Sequence, residues 1–182
     1  INIPYWYLRD MNISPDFPTN AQTFLENYQK ISSETFDAII AIDTAVLVDL
    51  VDVLGRIGVP GYGNFSAEPD KRCYGCPQII YQLEYIAGKP RSYIADDRKG
   101  FLAPLMHSIL SNAMGAPKEK ITPLAEAFFK NIHNKHIIFY FLDDQLQQAG
   151  NLANITASIQ KTDANTDYLH LNDSNMASAK TN

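Results

Sequence analysis

The segment FDAIIAID, residues 36–43, contains an apolar run from 38 to 42 and gives the clearest indication of the fold. A short continuous apolar run between polar residues is typical of a strand buried on both faces. A second run, HIIFYFL at 136–142, is rich in the β-branched and aromatic residues that strands favour. We expect the two segments, centred near Ile40 and Phe139, to lie side by side as interior strands.

Helical periodicity surrounds these strands. Apolar residues recur at spacings of three and four, which indicates amphipathic helices over 18–30, 45–55, 79–88, 101–113 and 121–132. In the last of these helices the apolar residues are predicted to face inward: Ile121, Leu124, Ala125, Phe128, Phe129 and Ile132. In the helix over 45–55 the only polar positions are Asp49 and Asp52, which we expect to mark its solvent-exposed stripe.

Alternation of strands and helices favours the α/β class. We predict a single α/β domain over 1–182, a three-layer sandwich whose small mixed or parallel sheet is covered by helices. Two weaker strand candidates, at 57–63 and 167–173, complete a set of only four. Because this sheet is thin for so many helices, we expect a truncated fold, with a further strand before Ile1 or after Asn182.

Composition excludes several classes of function. The chain has 182 residues, is 46% hydrophobic and carries a net charge of −5. Non-specific nucleic-acid binding needs a basic face that displaces counterions, so this charge argues against it. No apolar run approaches the length of a membrane span. Since the chain begins with Ile and shows no signal peptide, we expect it to be a fragment of a larger protein.

Three short motifs carry a resemblance to a known family. They are Leu8-Arg9-Asp10, the segment SPDFP at 14–18, and Ile39, Ala41 and Asp43 in the first strand. With these motifs the chain resembles a bacterial domain-of-unknown-function family, number 4012. That family occurs on large membrane-anchored envelope proteins, mostly outside the membrane. The resemblance therefore implies an extracytoplasmic location in the bacterial cell envelope, with anchoring through a segment absent from this chain.

A fainter likeness concerns the order of the elements. The helix over 18–30, the strand FDAIIAID and the helix segment FLAPLMHSIL at 101–110 look like the arrangement in LytR–CpsA–Psr cell-wall phosphotransferases. Those enzymes transfer a glycopolymer from a polyprenyl pyrophosphate carrier and use Mg²⁺ and several arginines. Arg98 matches the arginine that contacts pyrophosphate there, whereas Lys99 stands where that family has a glutamine. The likeness implies a LytR–CpsA–Psr-like fold.

Polar clusters that precede the predicted helices contain the candidate ligand-binding residues: Arg9, Asp10, Asp16, Asp43, Arg98 and Lys99. Carboxylates suit Mg²⁺, and the planar guanidinium of arginine suits phosphate. Each cluster also has a structural interpretation. Asp16 and Asp43 can fix the entry to a helix by accepting a hydrogen bond from a free N–H of its first turn. The residues before 101 can favour a helix start through the helix dipole.

The two cysteines form a Cys73-x-x-Cys76 unit. This spacing fits a local disulfide, free surface thiols, a redox pair, or half of a zinc site that His133 and His136 would complete. The sequence alone leaves these alternatives open.

Two functions fit these observations. The first is an envelope module that binds or scaffolds, with cell-envelope components or a polyprenyl phosphate glycolipid as its partner, no nucleic acid and no cofactor. The second is a phosphotransferase-like enzyme acting on polyprenyl-pyrophosphate-linked glycopolymers, which would use Mg²⁺. The sequence does not decide between binding and catalysis.

Overall fold

The computed structural model describes residues 11–88, 100–159 and 169. The helices are α1 (Phe17–Tyr28), α2 (Thr44–Leu54), α3 (Gln78–Gly88), α4 (Leu102–Met114), α5 (Lys118–His133) and α6 (Asp144–Leu152). The strands are β1 (Ala38–Ile42), β2 (Ile57–Val59), β3 (Gly63–Phe65), β4 (Pro69–Asp70), β5 (Cys76–Pro77) and β6 (Ile137–Phe141). A short 3-10 helix spans Lys71–Cys73. The predicted strand at 167–173 lies outside the described residues, apart from Leu169.

Short acidic side chains start several of the helices. Asp16 caps α1 by accepting a hydrogen bond from the Thr19 N–H, and Asp43 caps α2 by accepting one from the Ala45 N–H. The other end of α2 is closed by Gly55, whose φ of +87° lies in a region that residues with a Cβ rarely adopt. These caps fix where α2 begins and ends, as its sequence predicts.

The described strands form three two-stranded sheets, β1–β6, β2–β3 and β4–β5. In the β1–β6 sheet the Asp43 N–H donates to the His136 carbonyl, and the Leu142 N–H donates to the Asp37 carbonyl. The end of each strand therefore meets the start of the other, which makes the pair antiparallel. The other two sheets are antiparallel as well.

The α/β class is thus confirmed, whereas a parallel or mixed arrangement of the described strands is wrong. The physical reason is the way in which the strands are connected. β2 and β3 are separated by a three-residue turn, and a turn this short can only reverse the chain.

The expectation of interior strands is also wrong for β1, although β1 and β6 do lie side by side. Ile40 is 57% exposed and Ile42 is 45% exposed among the residues of this strand. The apolar run at 38–42 therefore signals strand formation without signalling burial on both faces. Ile137, in β6, is the buried residue of this strand pair.

The chain divides into two compact units, residues 39–139 and the combination of 1–38 with 140–182. In the first unit, α2, α3 and α4 pack with the β2–β3 hairpin around one hydrophobic core. Its central residues are all less than a tenth exposed: Leu47, Val51, Ile57, Val59, Phe65, Ile79, Leu83, Phe101, Leu105 and Ile109. Burial of such side chains is the main source of stability for a unit of this size.

The second unit contains α1 and α6. It also contains the first residue of β1, Ala38, and the last two residues of β6, Tyr140 and Phe141. Phe17, Ala21 and Leu25 form the buried face of α1. The Phe17 N–H donates to the Ala157 carbonyl, which connects the start of α1 to the segment that follows α6. Gly150 in α6 lies so close to Phe141 and Thr156 that a side-chain carbon there would overlap them.

The predicted buried face of α5 is wrong in part, since only Leu124 and Ile132 of the predicted inward residues are half-buried. Its buried residues are Ala127 and Asn131, whereas Ile121, Phe128 and Phe129 are 58%, 43% and 66% exposed. α5 packs mainly on α2 in the first unit. A small and a polar residue are therefore the most buried positions of α5, and three of its large apolar residues are exposed.

Within the described ranges, no helix combines the length and the apolar character that crossing a membrane requires.

Candidate functional site

The strongest candidate site lies where β1 ends and α2 begins. Asp43 uses one carboxylate oxygen, Oδ1, to cap α2 through the Ala45 N–H at 2.8 Å. Its other oxygen, Oδ2, is 2.7 Å from Nδ1 of His136. The antiparallel pairing of β1 with β6 creates this contact, because it sets the residue after β1 opposite the residue before β6. Asp43 is therefore both a helix cap and the partner of a histidine.

Further along α2, Asp49 belongs to a second polar cluster. Both of its carboxylate oxygens accept hydrogen bonds from Nζ of Lys130, at 3.0 and 2.9 Å. Oδ2 also accepts from Nδ2 of Asn131 at 2.8 Å. The Asp49 side chain is only 22% exposed. The prediction that Asp49 marks a solvent stripe is wrong, because α5 lies over it, whereas Asp52 is exposed as expected.

Asn131 is the most deeply buried member of this cluster, at 1% exposure. Its Nδ2 donates to Asp49 and also to the Ala127 carbonyl of its own helix. Within the described part of the chain, its Oδ1 has no hydrogen-bond partner. A buried amide with both donors engaged holds its neighbours in fixed positions, so Asn131 sets the position of Asp49.

A cavity of 350 Å³ opens beside these two clusters. Its lining combines polar residues from α2, α5 and the start of β6 with an apolar wall from α2 and α3: Thr44, Ala45, Val48, Asp49, Ile80, Lys130 and His136. The volume falls in the range of small-molecule sites, and a mainly apolar wall with a few directed polar groups is their usual composition.

Asp16, the other predicted acidic residue with described coordinates, has a structural role. Its Oδ2 accepts from the N–H and the Oγ1 hydroxyl of Thr19, at 3.1 and 2.6 Å. Its Oδ1 accepts from the Ile159 N–H at 2.9 Å. Partial burial raises the pKa of Asp16, but these hydrogen bonds outweigh that effect and lower the pKa below its usual value. Both oxygens are thus engaged in holding α1 and the segment after α6.

Cys73 and Cys76 are joined in a disulfide that closes the short loop between β4 and β5. A sulfur in a disulfide is not the thiolate that binds zinc, so the zinc and free-thiol alternatives do not describe this state. In the described residues, no group of three or more His, Cys, Asp or Glu side chains is arranged to hold a metal ion.

The disulfide loop carries a second polar constellation. Arg72 donates to both carboxylate oxygens of Asp70, at distances down to 2.6 Å, and its guanidinium lies 4.1 Å over the Tyr81 ring. The hydrogen bond from the Arg72 side chain lowers the pKa of the Asp70 carboxyl. A cavity of 470 Å³ lies alongside, and Arg56 and Glu68 form an exposed ion pair at its rim.

Four of the predicted ligand residues, Arg9, Asp10, Arg98 and Lys99, lie outside the described residues, so their roles stay predictions. Of the two that are described, Asp43 reaches the cavity cluster and Asp16 does not take part in it. Sequence reasoning missed Asp49, Lys130 and Asn131 as members of a site, and it considered His136 only as a zinc ligand. The available signal was the i, i+4 pair Ala127 and Asn131, which breaks the apolar pattern of α5 with a small and a polar residue.

The chain thus has an α/β fold, and near the end of its first strand lies a small cavity with an apolar wall and a few polar groups. Residues 2–68 match the model of a family described as protein of unknown function (DUF4012). The resemblance carried by the motifs at 8–10, 14–18 and 39–43 is thereby confirmed over this range. No curated protein and no solved structure matches the chain. The likeness to LytR–CpsA–Psr phosphotransferases stays a prediction.

Proposed function

We propose that this chain is an extracytoplasmic module of a bacterial cell-envelope protein that binds an envelope component and performs no reaction of its own. The observation that carries the binding role is the 350 Å³ cavity at the end of β1. Its polar groups already contact one another, Asp49 with Lys130 and His136 with Asp43. A ligand would therefore meet a preformed surface whose polar side chains are held in place by one another, which suits recognition.

The disulfide supports the proposed location. Disulfides persist in oxidising environments such as the bacterial periplasm and the cell surface, and they are rare in the reducing cytosol. The Cys73–Cys76 bond closes a loop that the first unit exposes next to its second cavity. An oxidised pair at this position is consistent with an envelope protein facing away from the cytoplasm.

Alkylation of the cysteines in intact cells tests the location. We expect a maleimide-linked polyethylene glycol to leave Cys73 and Cys76 unmodified until a reductant is added, because both sulfurs are engaged in the disulfide. The Cys73→Ser variant, which leaves Cys76 without a partner, serves as the control that must react without reductant. Modification of both cysteines in the untreated native chain would contradict an oxidising location.

Thermal unfolding with soluble peptidoglycan fragments tests the binding role. A ligand that binds only the folded chain raises the unfolding temperature by mass action. We expect such a shift for the native chain and a smaller one for Lys130→Ala, since Lys130 lines the cavity. Lys118→Ala at the exposed start of the same helix is the matched control. Equal shifts for both variants, or no shift with any envelope fragment, would contradict the proposal.

The alternative function is a phosphotransferase-like enzyme that acts on polyprenyl-pyrophosphate-linked glycopolymers with Mg²⁺. The observation in its favour is the proximity of two carboxylates, Asp43 and Asp49, to the cations that can contact phosphate. It is less well supported, because all four oxygens of these carboxylates already accept hydrogen bonds. Stabilisation by a polyprenyl phosphate that depends on Mg²⁺ would favour this enzyme over the binding module.

A further inference from the structure

The Asp43–His136 contact fixes which nitrogen of the imidazole carries the proton. Oδ2 of Asp43 belongs to a carboxylate, which can only accept a hydrogen bond. Nδ1 of His136, at 2.7 Å, must therefore be the donor. In the neutral ring the proton then sits on Nδ1, and Nε2 keeps a free lone pair. None of the described residues occupies Nε2 with a hydrogen bond.

The cavity consequently presents an acceptor at His136. Other lining groups add complementary donors. Nζ of Lys130 has three N–H bonds and points two of them at the oxygens of Asp49, which leaves one N–H for a ligand. The hydroxyl of Thr44 can both donate and accept. A ligand that fits must therefore combine a donor for Nε2 with acceptors for Lys130 and Thr44, and a hydroxylated molecule provides both.

The charge of the lining indicates an uncharged ligand. Among the lining residues, Asp49 and Lys130 carry opposite charges and contact each other, and the imidazole of His136, when it is neutral, adds none. An anion would meet the lone pair of Nε2 with Asp43 directly behind it, and a cation would meet the ammonium of Lys130. The rest of the wall, formed by Ala45, Val48 and Ile80, suits C–H groups.

We infer that the cavity binds an uncharged polyhydroxylated ligand, a single sugar ring or a compound of similar chemistry, with one hydroxyl donating to Nε2 of His136. Asp43 acts as a positioning residue that fixes the tautomer of the ring. This inference rests on the proposed binding function and specifies the ligand class of the same site.

Nitrogen-detected NMR of the histidine side chains tests this inference on the full 182-residue chain. The His136→Gln variant assigns the His136 signals among those of the 4 histidines. At alkaline pH, where the ring is neutral, we expect the Nδ1–H tautomer. Titration with glucose or N-acetylglucosamine should shift the Nε2 resonance saturably, whereas acetate and methylammonium should leave it unchanged. An Nε2–H tautomer, or a shift with either ion in place of the sugars, would overturn the inference.

Asp43→Asn provides a variant with the opposite hydrogen-bond polarity. Asparagine caps helices as well as aspartate does, so α2 keeps its start. Its Oδ1 takes the Ala45 N–H, and its Nδ2 then donates to Nδ1 of His136, which moves the ring proton to Nε2. We expect this tautomer change, after which Nε2–H donates to the ligand hydroxyl and no longer accepts from it. Asp52→Asn, exposed on the same helix, should leave the tautomer unchanged. An unchanged tautomer in Asp43→Asn would overturn the inference.

The two proposals fail separately. If peptidoglycan fragments stabilise the chain while no sugar shifts Nε2 of His136, the ligand class assigned to this cavity is wrong and the binding function stands. If neither measurement responds, both are wrong.

Discussion

Asp43 contacts both the Ala45 N–H and the His136 ring, and only the first of these contacts could be predicted from the sequence. Its capping role follows from local sequence, because a short acidic side chain before an apolar helix accepts from the first-turn N–H groups. Its contact with His136 joins residues far apart in the chain and depends on the direction in which β6 runs. Local chemistry predicts the cap, whereas only the strand pairing reveals the histidine.

Replacing Asn131 with aspartate tests the buried cluster at the α2–α5 contact. The variant removes the Nδ2 donor and sets a second carboxylate against Asp49 in a position that is 1% exposed. We expect a loss of about 3 kcal/mol in the free energy of unfolding, the scale of a buried charge left without compensation. Urea denaturation measures it.

Asn134→Asp is the matched control, since Asn134 is exposed just beyond the end of α5. A carboxylate near a helix C-terminus costs only about 0.3–1 kcal/mol at an exposed position. Equal losses in the two variants would show that Asn131 is not buried against Asp49.

The Asp70–Arg72 pair predicts a contribution to stability that depends on pH. Hydrogen bonding from Arg72 lowers the pKa of Asp70 in the folded chain. The stabilisation is therefore fully present above the unfolded pKa, about 3.9, and is lost as the pH falls through the lower folded value. We expect Asp70→Asn, which can still cap the 3-10 helix, to lose less stability than the native chain as the pH falls through this window.

Urea denaturation at a series of acidic pH values measures the difference. Asp52→Asn, an exposed change with the same loss of charge, should follow the native chain. If Asp70→Asn and the native chain lose stability in parallel, the ion pair contributes nothing.

At the scale of elements, helix positions follow from the sequence more closely than helix orientations do. Apolar periodicity and the acidic caps predict where α1 and α2 lie to within a few residues. The same periodicity predicts the wrong buried face for α5, because it assumes that the more apolar side is always the one that packs. Here the contact with α2 is made by Ala127 and Asn131, since a small side chain allows close approach and an amide can pair with Asp49.

A pair of substitutions on α5 tests this orientation. Phe129→Ser changes a side chain that is 66% exposed, so we expect a change within about 0.5 kcal/mol in the free energy of unfolding. Ala127→Leu adds volume to a position that is 8% exposed, and we expect a loss of about 1–3 kcal/mol from overpacking. Chemical denaturation of both variants compares them. The reverse ranking would mean that the apolar stripe of α5 packs inward after all.

Gly150 tests the packing of α6 in the second unit. In an open helix Gly→Ala stabilises by roughly 1 kcal/mol, because alanine has the higher helix propensity. At Gly150 the added carbon would lie 2.8 Å from Cγ2 of Thr156 and 3.0 Å from Cε2 of Phe141. We therefore expect Gly150→Ala to lower the melting temperature in a thermal unfolding scan.

Gly88→Ala is the control for that measurement, because the added carbon at the end of α3 meets no described atom within 4 Å. It should leave the melting temperature unchanged or raise it. A higher melting temperature for Gly150→Ala would contradict the close packing of α6 on Phe141 and Thr156.

For the whole molecule, the sequence predicts the α/β class and the adjacency of its two most apolar segments. It does not predict their relative direction. A continuous apolar run is typical of buried parallel strands, yet Ile40 and Ile42 are largely exposed and the pair is antiparallel. Strand direction depends on the path of the intervening residues, which no local pattern encodes. The Asp43–His136 contact could not be predicted from the sequence for the same reason, because it depends on the antiparallel pairing of β1 with β6.

The antiparallel register of β1 and β6 is thus the claim on which the cavity and its proposed ligand depend. The hydrogen bonds that flank the ladder set Ile40 directly opposite Phe139, at a position between hydrogen-bonded pairs. The most direct test is the nuclear Overhauser effect between the Hα atoms of these two residues. We predict a strong signal between them. The absence of this signal, together with an Ile40 contact that fits a parallel or shifted register, would contradict the antiparallel pairing and the site that depends on it.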